Sequence, residues 1–76
     1  MSTLGELRPG DAGRIAGLEK GAAHYRAKLL SMGLTPGVEF KVVRSAPMGD
    51  PIEIQIRGYR LSLRREEARV VRVEEA

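Results

Sequence analysis

The sequence contains no cysteine, and this absence removes several classes of small protein from consideration. A chain of 76 residues without cysteine has no disulfide framework, no thiolate zinc site and no cysteine nucleophile. Because small secreted domains usually depend on disulfides for stability, we expect this chain to reside in the reducing cytoplasm.

Long hydrophobic runs are also missing from the chain. The longest stretch without a charged side chain lies between Lys28 and Glu39, which is far short of the ~20 apolar residues that cross a bilayer. Glu6 and Arg8 interrupt any hydrophobic segment of an N-terminal signal peptide. The sequence therefore predicts a soluble chain that is not inserted into a membrane.

Aromatic and metal-ligating side chains are scarce. The aromatic residues Tyr25, Phe40 and Tyr59 all fall on predicted apolar faces, so we expect them to pack in the core. The single histidine, His24, falls on the polar face of a predicted helix, where we expect it to be exposed. No nucleophile elbow, phosphate-binding glycine loop or dinucleotide motif occurs. The sequence thus predicts a binding module without a metal, a cofactor or a catalytic site.

Basic residues outnumber acidic ones by 13 to 10, for a net charge of +3. Six arginines crowd the last third of the chain: Arg57, Arg60, Arg64, Arg65, Arg69 and Arg72. They leave open an alternative function as a small RNA-binding β-barrel, in which these arginines would contact phosphates. Such barrels stack bases on exposed aromatic rings, which this sequence does not supply, so we expect a protein partner and no nucleic acid.

Hydrophobic periodicity predicts one amphipathic helix over 22–32, because apolar residues recur there at spacings of three and four. Gly33 and Leu34 follow as they do in a Schellman cap, in which we expect Leu34 to fold back onto Leu29. This single helix is the only long one that the pattern supports.

Outside the helix, apolar and polar side chains alternate with a period of two. This alternation predicts about five short strands, near residues 14–18, 38–42, 52–56, 59–63 and 70–73. Segment 64–68 is predicted to form one helical turn. Because a small antiparallel sheet leaves fewest open edges when it curls into a barrel, we predict such a barrel and therefore a mainly all-β fold. It is a small SH3-like antiparallel β-barrel with one inserted α-helix and a short C-terminal helical turn, in a single domain over residues 1–76.

The predicted helix has a second apolar side that a barrel does not require. Ala23, Ala27 and Leu30 lie there, away from the stripe that faces the barrel. Either the barrel and its loops cover this side too, or it binds another protein or a second copy of the chain. We take it as a candidate partner-binding surface.

A loop between two predicted strands is the second candidate surface, and it contains Pro47, Met48, Gly49 and Asp50 before Pro51. Two prolines fix φ at their positions, so we expect one defined loop shape with Met48 at its exposed apolar tip. We expect the Asp50 carboxylate to accept a hydrogen bond from the backbone of its own turn.

Several segments of the sequence resemble the FeoA family of the bacterial ferrous-iron transport system. The helix ends in Leu30-Ser31-Met32-Gly33-Leu34-Thr35-Pro36-Gly37, which fits the pattern L-x-x-G-L-x-P-G. The loop reads Ala46-Pro47-Met48-Gly49-Asp50-Pro51-Ile52, and further matches occur at Leu61-Ser62-Leu63-Arg64 and at Leu7-Arg8-Pro9-Gly10. The helix ending and the loop are specific to the family when they occur together at this spacing.

The resemblance implies a non-enzymatic accessory or regulatory protein of ferrous iron uptake. Its implied partner is FeoB, a membrane permease whose cytosolic part carries a GTP-binding domain, and a homo-oligomer also remains open. The same type of domain ends iron-dependent repressors, but no helix-turn-helix segment precedes the barrel here, so we expect a stand-alone domain.

Overall fold

Short strands dominate the computed structural model, which describes residues 2–76. The strands are β1 (Ser2–Thr3), β2 (Ala12–Leu18), β3 (Glu39–Ser45), β4 (Ile52–Ile56), β5 (Tyr59–Leu63) and β6 (Val71–Glu75). The helices are α1 (Ala23–Ser31) and α2 (Arg65–Ala68), and a 3-10 turn covers Leu4–Glu6. The predicted inserted helix and C-terminal helical turn are both confirmed.

All six strands belong to one sheet with the order β1-β6-β2-β3-β4-β5, and every neighbouring pair is antiparallel. Register shifts between Ile15 and Gly17 and between Val42 and Arg44 increase the local bend of the strands. Leu4, beside one end of the sheet, shares a hydrophobic cluster with Leu63 at the other end. The sheet therefore curls around its own core, in agreement with the predicted SH3-like barrel.

Strand alternation builds this core. In β4, Ile52, Ile54 and Ile56 are buried, whereas Glu53 and Gln55 face outward. The complete cluster consists of Leu4, Ile15, Leu29, Leu34, Val38, Phe40, Val42, Ile52, Ile54, Ile56, Leu63, Ala68, Val71 and Val73. Because strands, helices and the 3-10 turn all contribute, the core joins every layer of the fold.

The C-terminal cap of α1 has the predicted Schellman geometry. The amide of Leu34 donates to the carbonyl of Leu29 at 3.2 Å, and the amide of Gly33 donates to the carbonyl of Leu30 at 3.0 Å. Gly33 has a φ of +97°, a backbone conformation that residues with a Cβ atom rarely adopt. Leu29 and Leu34 are both fully buried, so the cap attaches the helix to the core.

The hairpin between β4 and β5 turns over Arg57 and Gly58, as predicted. Both residues have positive φ, +42° and +84°, which is the geometry of a two-residue type I′ turn. Ile56 and Tyr59 pair directly across this turn, and this pairing sets the register of the whole hairpin.

The N-terminal segment was missed by the sequence reading. β1 pairs with β6, where Ser2 lies opposite Val73, and Leu4 is fully buried. The amide of Thr3 donates to Oε1 of Glu6 at 2.8 Å, which is half of a capping box. The spacing T-x-x-E was the available signal for this turn. The number of strands is therefore six instead of about five.

The structure also corrects the prediction for Tyr59, which was expected in the core but is 43% exposed. It begins β5, the last strand of the sheet, so only one neighbouring strand covers it. Its hydroxyl donates to the carbonyl of Met32 at 2.9 Å and lies against Gly33. Tyr59 thus satisfies a carbonyl at the end of α1 instead of filling the core.

Lys28 and Glu67 connect the two helices. Glu67 is 4% exposed, and its carboxylate accepts hydrogen bonds from Nζ of Lys28 at 2.5 Å and from the amide of Arg64 at 2.9 Å. The hydrogen bond from Lys28, followed by that from Arg64, lowers the pKa of Glu67 below its ordinary value of 4.5 although burial opposes this.

Replacing Glu67 with glutamine should therefore destabilise the fold in a pH-dependent way. A carboxyl with a lowered pKa stabilises the folded state above its unfolded pKa, and this contribution is lost as the pH falls through the lowered value. At pH 7 we expect Glu67→Gln to reduce the free energy of unfolding by about 1 kcal/mol, since Lys28 is largely exposed. Denaturant titrations should show that the free energies of unfolding of wild type and Glu67→Gln converge as the pH falls into the acidic range.

The matched control is Glu66→Gln, because Glu66 is the exposed neighbour of Glu67 on the same helix. We expect the free energy of unfolding of this control to equal that of the wild-type protein at pH 7 and in acid. A difference between Glu67→Gln and wild type that stays constant from neutral to acidic pH would contradict the assigned role of the Lys28 ion pair.

Candidate functional site

The outer side of α1 forms the first candidate surface, and we call Ala23, Ala27 and Leu30 the helix patch. Their spacing of four and three residues places them on one side of the helix. Ala23 and Ala27 are exposed, Leu30 is partly exposed, and none of the three belongs to the hydrophobic core cluster. Leu29, one position earlier, is fully buried. The barrel therefore leaves the helix patch open.

His24 lies beside this patch and is exposed, as expected from the sequence. Its ring meets the ring of Tyr25 edge-on, with centroids 5.7 Å apart and an interplanar angle of 85°. Tyr25, which was expected in the core, is only partly buried against it, and so is Met32. The inner side of α1 therefore relies on Ala22 and Leu29 for its full burial.

Residues 46–51 form the second candidate surface, which we call the Met48 loop. The amide of Gly49 donates to the carbonyl of Ala46 at 2.7 Å, and the amide of Ala46 donates to the carbonyl of Pro51 at 3.1 Å. Met48 stands at the tip with 88% of its surface exposed. The loop thus closes on itself and presents one apolar side chain to solvent, with Pro47 also exposed.

Asp50 does not make the expected hydrogen bond within its own turn. Its Oδ1 accepts from the amide of Arg65, the first residue of α2, at 3.1 Å. The guanidinium of Arg65 in turn donates to the carbonyl of Gly49 at 3.4 Å. This contact arises because Ile52 pairs with Leu63, which brings the loop before β4 next to the segment after β5. Asp50 anchors the loop to α2.

The two candidate surfaces lie toward opposite ends of β4. The end of α1 approaches Ile56 and Tyr59, whereas the Met48 loop leads directly into Ile52. Four residues of strand separate these ends by roughly 13 Å. Helix α2 connects the two surfaces, since Glu67 binds Lys28 of α1 and Arg65 binds the loop. The structure therefore gives two surfaces with a common support.

A cleft of about 580 Å³ opens beside the Met48 loop. It is lined by Asp50, Pro51, Arg64, Arg65, Glu66 and Arg69. Within residues 2–76, no group of three or more histidine, aspartate or glutamate side chains is placed to hold a metal ion. Over the same residues, none of the helices is long and apolar enough to cross a membrane.

The arginines of β5 and its surroundings serve partly as sheet contacts. Glu53 of β4 lies between Arg44 of β3 and Arg60 of β5, with nitrogen–oxygen distances of 3.4 and 3.8 Å. Among the tyrosine and phenylalanine side chains of residues 2–76, Tyr59 is the exposed one, and its hydroxyl donates to the carbonyl of Met32. In the described residues, the arginine-rich region thus offers one exposed aromatic ring, whereas RNA-binding barrels stack successive bases on several aromatic side chains.

Comparison with known sequences identifies relatives over almost the whole chain. The FeoA domain family matches residues 2–75. A curated relative, the Fe(2+) transport protein A/Fe(2+) transporter FeoB fusion protein of Porphyromonas gingivalis, is 41% identical over 71 residues. The match covers 93% of this chain but only 8% of that protein.

Solved structures of FeoA proteins share the fold. An FeoA-like protein from Clostridium acetobutylicum superposes with a TM-score of 0.89 at 36% identity, over 97% of this chain and 85% of its own. FeoA from Stenotrophomonas maltophilia, solved with zinc and described as a prokaryotic SH3 domain protein, gives 0.80 at 28% identity, over 97% and 91%. Together with the family match, these similarities show that the chain belongs to the FeoA domain family.

Proposed function

We propose that this chain is a non-enzymatic accessory protein of ferrous iron uptake, which acts in the cytoplasm by direct contact with the cytosolic GTP-binding domain of an FeoB permease. The observation that carries this proposal is the fusion protein of P. gingivalis, in which a sequence 41% identical to this chain shares one polypeptide with the transporter. The S. maltophilia relative is likewise described as a candidate ferrous iron transport activating factor.

Fusion has a direct physical consequence for such a contact. A tethered domain meets its partner at an effective concentration that reaches roughly millimolar with a short linker, so a weak contact is largely occupied. The same contact between separate chains requires a surface with appreciable affinity of its own. Exposed apolar side chains on a rigid element supply such affinity, since their burial removes apolar area from water.

The helix patch is the better supported of the two docking surfaces. Its backbone is held by the buried cap residues Leu29 and Leu34 and by the ion pair of Lys28 with Glu67. A rigid helix loses little conformational entropy when a partner covers it. Leu30 is the one large apolar side chain of the helix patch and is partly exposed, and the small exposed residues Ala23 and Ala27 allow a partner to approach closely. A second copy of the chain is the other occupant of the helix patch, and pairing of two chains there would be observed as a dimer in solution.

Replacing Leu30 with glutamate should weaken partner binding without unfolding the domain. The charge would stand on a partly exposed position outside the core, so we expect a cooperative thermal transition to persist. Affinity for the cytosolic part of FeoB, measured by calorimetric titration, should fall at least about tenfold because the glutamate would have to be desolvated in the interface.

The matched control is Leu29→Glu, one residue away and fully buried. Net stability in a domain of this size is only ~3–5 kcal/mol, and loss of a buried leucine costs about 2–5 kcal/mol, so this variant should not fold. If Leu30→Glu unfolds as completely as Leu29→Glu, Leu30 belongs to the core and the helix patch is not the docking surface. If it folds and binds FeoB normally, the contact lies elsewhere.

Replacing Met48 with serine tests the second surface. The side chain is almost fully exposed and the loop is held by backbone hydrogen bonds, so we expect the melting temperature to stay within about 1 °C. FeoB binding should weaken several-fold if the loop tip inserts into the partner. Unchanged binding together with unchanged Fe(II) uptake in cells would reduce the Met48 loop to a connector.

A further inference from the structure

Strand β5 forms an open edge of the sheet, because β4 is its only neighbour. Ile56 and Tyr59 close a two-residue hairpin and so exchange hydrogen bonds with each other. Hydrogen-bonded and non-hydrogen-bonded pairs alternate along an antiparallel ladder. The amides and carbonyls of Arg60 and Ser62, which lie in the non-hydrogen-bonded pairs, therefore point away from β4.

Solvent reaches this edge. Arg60 and Ser62 are both exposed, and within residues 2–76 no loop, turn or helix forms a backbone hydrogen bond with either residue. Two N–H donors and two carbonyl acceptors thus stand in one row. The opposite edge of the sheet differs, because β1 is only two residues long and offers little to pair with.

The charge along β5 is strongly positive. Residues 57–65 contain four arginines, namely Arg57, Arg60, Arg64 and Arg65, and no acidic residue. Arg60 has one nearby carboxylate, that of Glu53, which also binds Arg44. Two copies of β5 paired with each other would bring these arginines together, and cationic edge strands resist such self-association.

We propose that the edge of β5 receives an extended acidic segment of the partner protein as an added strand. The inference rests on the proposed function for the identity of that partner, the cytosolic part of FeoB. Backbone groups of the added strand would pair with those of Arg60 and Ser62, which gives affinity without any demand on sequence. Acidic side chains on alternate residues would face the arginines, which gives specificity and a fast association rate.

Ser62→Pro tests the backbone pairing alone, because it removes the outward amide and changes no charge. Proline is tolerated in edge strands when its nitrogen faces solvent, so β4 pairing should persist. We expect FeoB binding to weaken about tenfold relative to wild type, with Ser62→Ala as the matched control that binds normally. Far-ultraviolet circular dichroism and thermal melting establish that both variants fold.

Two further measurements do not depend on the proline variant folding. In the wild-type protein, NMR hydrogen exchange should show the amides of Arg60 and Ser62 exchanging freely and becoming protected when the FeoB domain is added. Arg60→Gln should weaken binding several-fold and reduce its salt dependence. Its control is Arg44→Gln. Arg44 also contacts the carboxylate of Glu53, but it lies on β3, about 10 Å from the edge, so this variant should bind normally.

The outcomes separate the inference from the proposed function. If wild type binds the FeoB domain while Ser62→Pro binds equally well and the two amides stay unprotected, strand addition is wrong and the proposed function stands. If wild type does not bind the FeoB domain at all, both are wrong. If the protein instead binds single-stranded RNA, equally in Ser62→Pro and in wild type but more weakly in Arg60→Gln, the arginines serve phosphates and the inference is overturned.

Discussion

The burial of Leu29 and Leu34 at the end of α1 is the interaction on which the candidate surfaces depend. It fixes the rotation of a nine-residue helix that would be marginal in isolation, and this rotation turns Leu30 outward while Leu29 enters the core. Gly33 makes the cap possible because its left-handed conformation reverses the chain within one residue. A helix rotated by one residue, about 100°, would bury Leu30 and turn Leu29 out of the core.

Helix α2 supports both candidate surfaces although it has only four residues. Its buried Glu67 holds Lys28 of α1, and its first residue, Arg65, binds the Met48 loop through Asp50 and Gly49. Charged groups thus set the positions of elements that share little apolar contact. This arrangement gives a small domain two supported surfaces and an open strand edge.

Local patterns were sufficient to predict most of the fold. Alternation placed β4 and β5 at their observed residues, and Gly33 with Leu34 placed the helix end, because each feature depends on neighbours in sequence. Tyr59 and Asp50 were misjudged because their hydrogen-bond partners lie 27 and 15 residues away, where no periodicity connects them. The helix patch could be located by angle alone, but its exposure depends on what the barrel covers, which only the structure shows.

Contact between the helix patch and the transporter is the central claim, and methyl cross-saturation tests it most directly. Saturating the protons of the cytosolic part of FeoB, in complex with the methyl-labelled, deuterated chain, attenuates only methyl groups that touch the partner. We expect attenuation of the methyl signals of Ala23, Ala27 and Leu30, whereas those of Leu29, the preceding residue, keep their intensity. Attenuation confined to methyl groups distant from α1 would contradict the central claim.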